Sequence, residues 1–227
     1  MSKNVNPSQS KVLTLGYCPI GNGQSISPFN TIFEDRQDIS KTIQGVDAVV
    51  FWGGTDIHPD LYDEKKHPRS QAGNAPSQRD EFEWKAMLYC KANDIPMIGV
   101  CRGAQLMTAF VGGFLIQDVN GHHSNHDMIT SDGECIMTTS CHHQMMYPYD
   151  VEHELLAWAT PRQSGHYQGA TNVGLSCMAD KREPEVVYYP QIRGLAIQGH
   201  PEWAIGSRFA EYCNELILSK LFSDVIA

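Results

Sequence analysis

Short apolar runs, each broken by glycine, proline or a polar cluster, recur along the chain at residues 12–15, 48–52, 97–100, 134–139, 186–189 and 195–198. Runs of this length, several rich in valine and isoleucine, predict strands. Between and after them the apolar spacing turns helical. Residues 80–92 open on an Asp that can cap and continue with Phe82, Met87 and Leu88; 102–111 and 207–221 form two further helical stretches. Strands that alternate with helices predict an α/β fold: one domain of three layers around a mostly parallel, flavodoxin-like central sheet, because parallel neighbours need crossovers that cover both faces. Residues 112–118, beginning Gly112-Gly113, predict a turn and a short edge strand, and the polar residues 1–10 predict a disordered tail.

In open α/β sheets ligands collect beyond the carboxyl ends of the strands. Three segments follow predicted strands there. The first is Gly99-Val100-Cys101-Arg102-Gly103, in which a strand breaks and turns directly into a helix. A side chain on such a turn is pushed clear of the sheet, the flanking glycines admit close backbone approach, and the helix N-terminus favours a thiolate. Cys101 is therefore a candidate nucleophile, against the plain alternative of a buried space-filling thiol. The second is Gly199-His200-Pro201-Glu202. Positions two apart on an extended chain face one way, so His200 can act as base and Glu202 can orient it. The third is Trp52-Gly53-Gly54-Thr55, whose amides no side chain shields; the oxyanion site is assigned to the Gly54 and Arg102 amides.

Composition narrows the partners. The 17 Lys and Arg against 26 Asp and Glu give a formal charge of −9 without a basic stripe, so nucleic acid is not an expected ligand. No run approaches the ~18 apolar residues of a membrane span and no leader-like segment opens the chain, which predicts a cytoplasmic protein. The seven cysteines contain no C-x-x-C pair and read as reduced thiols. No phosphate-binding glycine loop follows a strand, so no nucleotide or other cofactor is expected. His122, His123 and His126 cluster in one loop, but closely spaced histidines need further fixed ligands to close a site, and no metal is expected.

With these residues in hand, the chain resembles class I glutamine amidotransferases, and within them the stand-alone γ-glutamyl amide hydrolases. The segments that carry the resemblance are Gly53-Gly54-Thr55-Asp56-Ile57-His58-Pro59, Arg79-Asp80, Gly99 to Gln105, Gly112-Gly113, Ser140-Cys141-His142-His143-Gln144 and Gly199 to Glu202. The resemblance implies Cys101 as nucleophile, His200 as general acid and base, Glu202 as its orienter, and a γ-glutamyl thioester intermediate. It also implies that Gly53, Gln105, Ser140, Cys141 and His142 hold the glutamyl part of the substrate. The expected partners are a small γ-glutamyl amine or glutamine, a second copy of the chain as a homodimer, and, if the chain supplies ammonia, a separate synthase. A binding protein that has kept the fold and lost catalysis is the reading from a different class.

Overall fold

The computed structural model describes residues 11–15, 30–33, 39–169 and 178–222; the tail expected at residues 1–10 lies outside them. In chain order the elements are β1 (Lys11–Leu15), β2 (Asn30–Phe33), α1 (Ile39–Ile43), β3 (Ala48–Phe51), α2 (Gln78–Ala92), β4 (Met97–Val100), α3 (Arg102–Phe110), β5 (Phe114–Ile116) and β6 (Asp118–Val119). They continue with β7 (His126–Thr130), β8 (Cys135–Thr138), β9 (Met145–Tyr147), β10 (Glu154–Ala159), β11 (Tyr167–Gln168), β12 (Pro184–Tyr189), β13 (Gly194–Ile197) and α4 (Arg208–Leu216).

Among the described residues nine strands form one sheet in the order β2-β1-β3-β4-β13-β12-β10-β7-β8. The half from β2 to β13 is parallel, while β12, β10, β7 and β8 extend it antiparallel. Strand alternation sorts the central side chains onto two faces. Ala48, Val50, Ile98, Val100, Leu195 and Ile197 face a core completed by Phe209, Cys213 and Ile217 around α4. Val49, Phe51, Met97 and Ala196 face Ile43, Met87, Leu106 and Met107 from the other three helices. Helices on both faces make the three layers, and burial on both sides explains why these strands read as unbroken apolar runs.

Three local expectations are corrected. The helix expected from Asp80 begins at Gln78, with Ser77 as its N-cap; Asp80 sits at the third helical position, accepts the Ser77 amide at 2.8 Å and completes a capping box. Residues 112–118 do not form an edge of the main sheet. They split into β5, paired with β9, and β6, paired with β11, while β8 and β2 are the edges. The helix expected over 207–221 is α-helical only to Leu216 and closes in a π-helical turn, Ile217–Leu221, that keeps Ile217 and Leu221 in the core.

Candidate active site

Strands β3, β4 and β13 are neighbours, and all three run the same way. Their carboxyl ends therefore carry Gly53-Gly54, Cys101 and His200 to one place, although these residues are separated by some fifty to a hundred positions in sequence. Cys101 caps α3 with φ +52° and ψ −106°, a conformation non-glycine residues rarely adopt and one costing on the order of 1–3 kcal/mol. The surroundings enforce it. The Cys101 amide donates to the Ile197 carbonyl at 2.8 Å, and the Cys101 carbonyl accepts the Gln105 amide at 3.1 Å.

The elbow glycines have a different task from the one expected of them. A methyl group on Gly103 would stand 2.0 Å from the Phe51 carbonyl oxygen, and one on Gly99 would stand 2.6 Å from the Gly103 carbonyl. Gly99 and Gly103 let α3 lie against β3 and β4 and so set the height of Cys101, rather than opening amides to a ligand. Gly53 does face the reacting groups: a methyl there would come within 3.1 Å of His200 Cε1 and 3.9 Å of Cys101 Sγ.

His200 Nδ1 lies 2.7 Å from Glu202 Oε1, and both residues are buried. The 3-10 turn Pro201–Trp203 folds the chain so that the carboxylate stands behind the imidazole and the indole of Trp203 stacks flat on it, with ring centroids 3.7 Å apart. Burial alone would favour the neutral ring. The Cys101 and Glu202 groups outweigh it and raise the His200 pKa to about 10, so the ring is held as imidazolium. The segment after β8 anchors this histidine: its amide donates to the Thr139 carbonyl at 2.9 Å, and the Thr139 hydroxyl donates back to the His200 carbonyl.

The Arg102 side chain is turned away from Cys101 into a buried cluster, where it pairs with Asp80 and Glu83 of α2. Any role for Arg102 at the cavity falls to its first-turn amide, which has no intrahelical acceptor. Glu83 also takes Arg79 Nε at 2.7 Å, and Arg79 donates to the Trp52 carbonyl at 2.8 Å. The Arg79 guanidinium fills the space beside Gly54, whose φ of +141° suits only glycine, so this network fixes the turn after β3.

Two adjoining cavities meet at Gly54, Cys101 and Cys141. One, of about 280 Å³, is walled by Gly53, His200, Glu202 and Trp203; the other, of about 240 Å³, is polar, with Asp56, Gln105, His142 and His143 in its wall. His143 Nε2 pairs with Asp56 Oδ1 at 2.9 Å, and that bond raises the His143 pKa against the opposing effect of burial. Gln105 Nε2 donates to the Gln144 carbonyl at 2.9 Å, and His142 Nδ1 lies 2.8 Å from the same oxygen.

Of the residues singled out in the sequence, Cys101, His200, Glu202, Gly53, Gly54, Gln105, Cys141 and His142 line these cavities. Ser140 does not. Its hydroxyl is buried and donates to the His122 carbonyl at 2.7 Å. Sequence reasoning passed over Trp203, Asp56, His143 and Thr139 as site residues, although Asp56 and His143 lie inside quoted motifs and Trp203 and Thr139 directly beside them, where position next to a stronger candidate was the available signal.

Solved structures share the fold at low identity: a glutamine amidotransferase from Thermotoga maritima (TM-score 0.57, 15% identity, covering 96% of this chain and 86% of that one) and the glutaminase domain of a Trypanosoma brucei protein with bound acivicin (TM-score 0.58, 14% identity, 95% and 94%). The glutamine amidotransferase-like protein YvdE of Lactococcus lactis subsp. lactis is 30% identical over 177 residues, 74% of this chain and 71% of that protein. Its subsp. cremoris homolog is 38% identical over 87 residues, and that match spans 45% of its length. The family model for peptidase C26 matches residues 2–202, from the first strand through Glu202, and on that match the chain belongs to the peptidase C26 family.

Proposed function

We propose that the chain is a cysteine hydrolase of γ-glutamyl amide bonds, with Cys101 as nucleophile, His200 as acid and base, and Glu202 as the residue that orients His200. The observation that carries this reading is the convergence of three adjacent parallel strand ends on one cavity, where a strained Cys101 and a His200 backed by Glu202 line the same wall. Membership in peptidase C26 supports the reaction class.

In this mechanism the Cys101 proton resides on His200, and Sγ attacks the γ-carbonyl carbon. The carbonyl electrons move onto oxygen, where the amides of Gly54 and Arg102 receive the negative charge. The C–N bond then breaks, and the departing amine takes the proton from His200. Water attacks the resulting thioester after giving a proton to His200; the C–S bond breaks, glutamate leaves and the His200–Cys101 pair is restored. Glu202 keeps the imidazole in one tautomer and one orientation throughout. The polar cavity, with Gln105, His142 and the His143–Asp56 pair, suits the charged end of a glutamyl group, and the cavity beside Trp203 suits the amine.

Glutamate release from a panel of γ-glutamyl amines, compared with release from glutamine, tests the reading. Faster turnover of at least one γ-glutamyl amine supports a self-sufficient hydrolase. A protein idle on every amine that hydrolyses glutamine only with a co-purifying synthase would replace it with an ammonia-supplying glutaminase, the activity class named for its relatives.

A further inference from the structure

Behind the wall of the polar cavity lies a second cluster of chemistry-bearing side chains, of which only His142 also lines that cavity. His122 comes from the loop before β7, His142 from the segment after β8, and Glu185 from β12. All three are buried, and their ligand-capable atoms lie within 4.8 Å of one another. Both ring nitrogens of His122, Nε2 of His142 and Oε2 of Glu185 are sealed from solvent and make no hydrogen bond. Buried polar atoms are seldom left in this state unless a water or an ion belongs there.

The surrounding acceptors and donors orient these free atoms inward. His142 Nδ1 is committed to the Gln144 carbonyl at 2.8 Å, so Nε2 carries the lone pair. Glu185 Oε1 takes His126 Nε2 at 2.8 Å, which leaves Oε2. His122 turns Nε2 toward Glu183 Oε2 at 3.5 Å and Nδ1 toward Glu185 Oε1 at 3.3 Å. A ligating histidine whose second nitrogen faces a carboxylate or carbonyl is the usual outer arrangement of a metal site.

We propose that His122, His142 and Glu185 bind one divalent first-row transition-metal ion, of the kind Zn2+ represents, which joins three chain segments behind the glutamyl end of the cavity. Two imidazoles and a carboxylate suit this class of ion better than Mg2+ or Ca2+, which prefer all-oxygen shells. The sequence expectation of no metal rested on the loop histidines lacking further fixed ligands. Folding supplies them from β12 and from the segment after β8. The ion would hold the stretch that carries Thr139, Cys141 and His142, and so brace the anchor of His200 without entering the reaction.

The test uses the full chain carrying Cys101→Ala, which removes the reactive thiol as a competing ligand. After chelator treatment, equilibrium dialysis against Zn2+ should load about one ion per chain and raise the thermal midpoint. Co2+ in its place should give visible d–d bands without a thiolate charge-transfer band. His142→Ala and Glu185→Gln should abolish stoichiometric uptake, and Glu183→Gln, which leaves the three ligands in place, should weaken it about 10- to 100-fold. Substoichiometric uptake by the folded Cys101→Ala protein would overturn the proposal, and would assign the cluster's counter-charge to protons on its histidines. So would a thiolate band, or uptake that all three further variants leave unchanged. If His142→Ala or Glu185→Gln fails to fold, the Co2+ spectrum of the parent and the Glu183→Gln titration decide.

Discussion

Glu202→Gln is the most informative single change at the site, because it keeps the shape of the side chain and removes only its charge. The rise of the His200 pKa from the ordinary ~6.5 to about 10 corresponds to roughly 4–5 kcal/mol of preference for imidazolium. Glu202 and Cys101 supply that preference against burial. A charge-assisted hydrogen bond such as the one at 2.7 Å contributes about 1.5–3 kcal/mol. If it is realised in full in the transition state, Glu202→Gln lowers kcat/KM about 10- to 150-fold. His200→Ala removes the proton carrier itself and should cost considerably more. The sign of the pH effect follows from the raised pKa: stability from this group is complete below ~6.5 and is lost as the pH rises through about 10. Glu202→Gln lowers the His200 pKa, so the alkaline limb of kcat/KM should move to lower pH, and the stability difference from wild type should shrink as the pH approaches 10. Steady-state glutamate release across pH 5–11 (roughly the range that brackets both values), with urea unfolding at selected points, measures both. An unmoved alkaline limb would refute the orienting role. A loss as large as that of His200→Ala with a shifted acid limb would make Glu202 a proton carrier instead.

Three further outcomes are expected. Cys101→Ala abolishes glutamate release and the mass adduct of a trapped thioester, whereas Cys141→Ala, exposed at the junction of the two cavities, keeps the adduct and alters KM. Gly103→Ala forces a methyl group against the Phe51 carbonyl and destabilises the fold by about 3 kcal/mol or more, while Gly165→Ala, with open space around it, stays within about 0.5 kcal/mol in urea unfolding. Ser140→Ala costs about 1 kcal/mol of stability through the lost bond to the His122 carbonyl and leaves KM unchanged; a KM increase at wild-type stability would return Ser140 to the substrate.

Among the strands legible in the sequence, β3, β4 and β13 are buried at every position and are followed within two residues by glycine or Cys101. The strands it concealed are those whose inward positions are not simply apolar. In β7 the buried positions are His126, Met128 and Thr130, an alternation that reads as polar loop, and β10 has the Leu and Ala content of a helix. Within the antiparallel half, β8 and β12 were expected from residues 134–139 and 186–189, while β7 and β10 were hidden for this reason. At the candidate site, the meeting of Cys101, His200 and Glu202 was legible because a cysteine on a strand-to-helix turn and a histidine two residues before a carboxylate are local patterns. Thr139 and the His143–Asp56 pair act through contacts between distant segments, which spacing along the chain does not encode, and Trp203 reaches His200 only through the 3-10 turn that follows it.

The same distinction separates chemistry from recognition in the molecule. The groups proposed to carry the reaction sit on adjacent strand ends, and each is fixed by backbone bonds: Cys101 to Ile197, His200 to Thr139, and the turn after β3 to Arg79. Those of the polar cavity come mostly from loops: Asp56 from the stretch after β3, and His142 and His143 from the segment between β8 and β9, with Gln105 added from α3. The Arg79–Glu83–Arg102–Asp80 cluster lies beneath the first set and is buried, so breaking one of its ion pairs would cost about 3–5 kcal/mol and tilt α3 with Cys101 on it. Asp56 and His143 of the polar cavity pair with each other. The order of tolerance follows: substitutions at Asp56, Gln105 or His143 change which γ-glutamyl compound is accepted while the Cys101–His200 pair keeps its geometry, and substitutions at Asp80 or Glu83 remove activity toward all of them together.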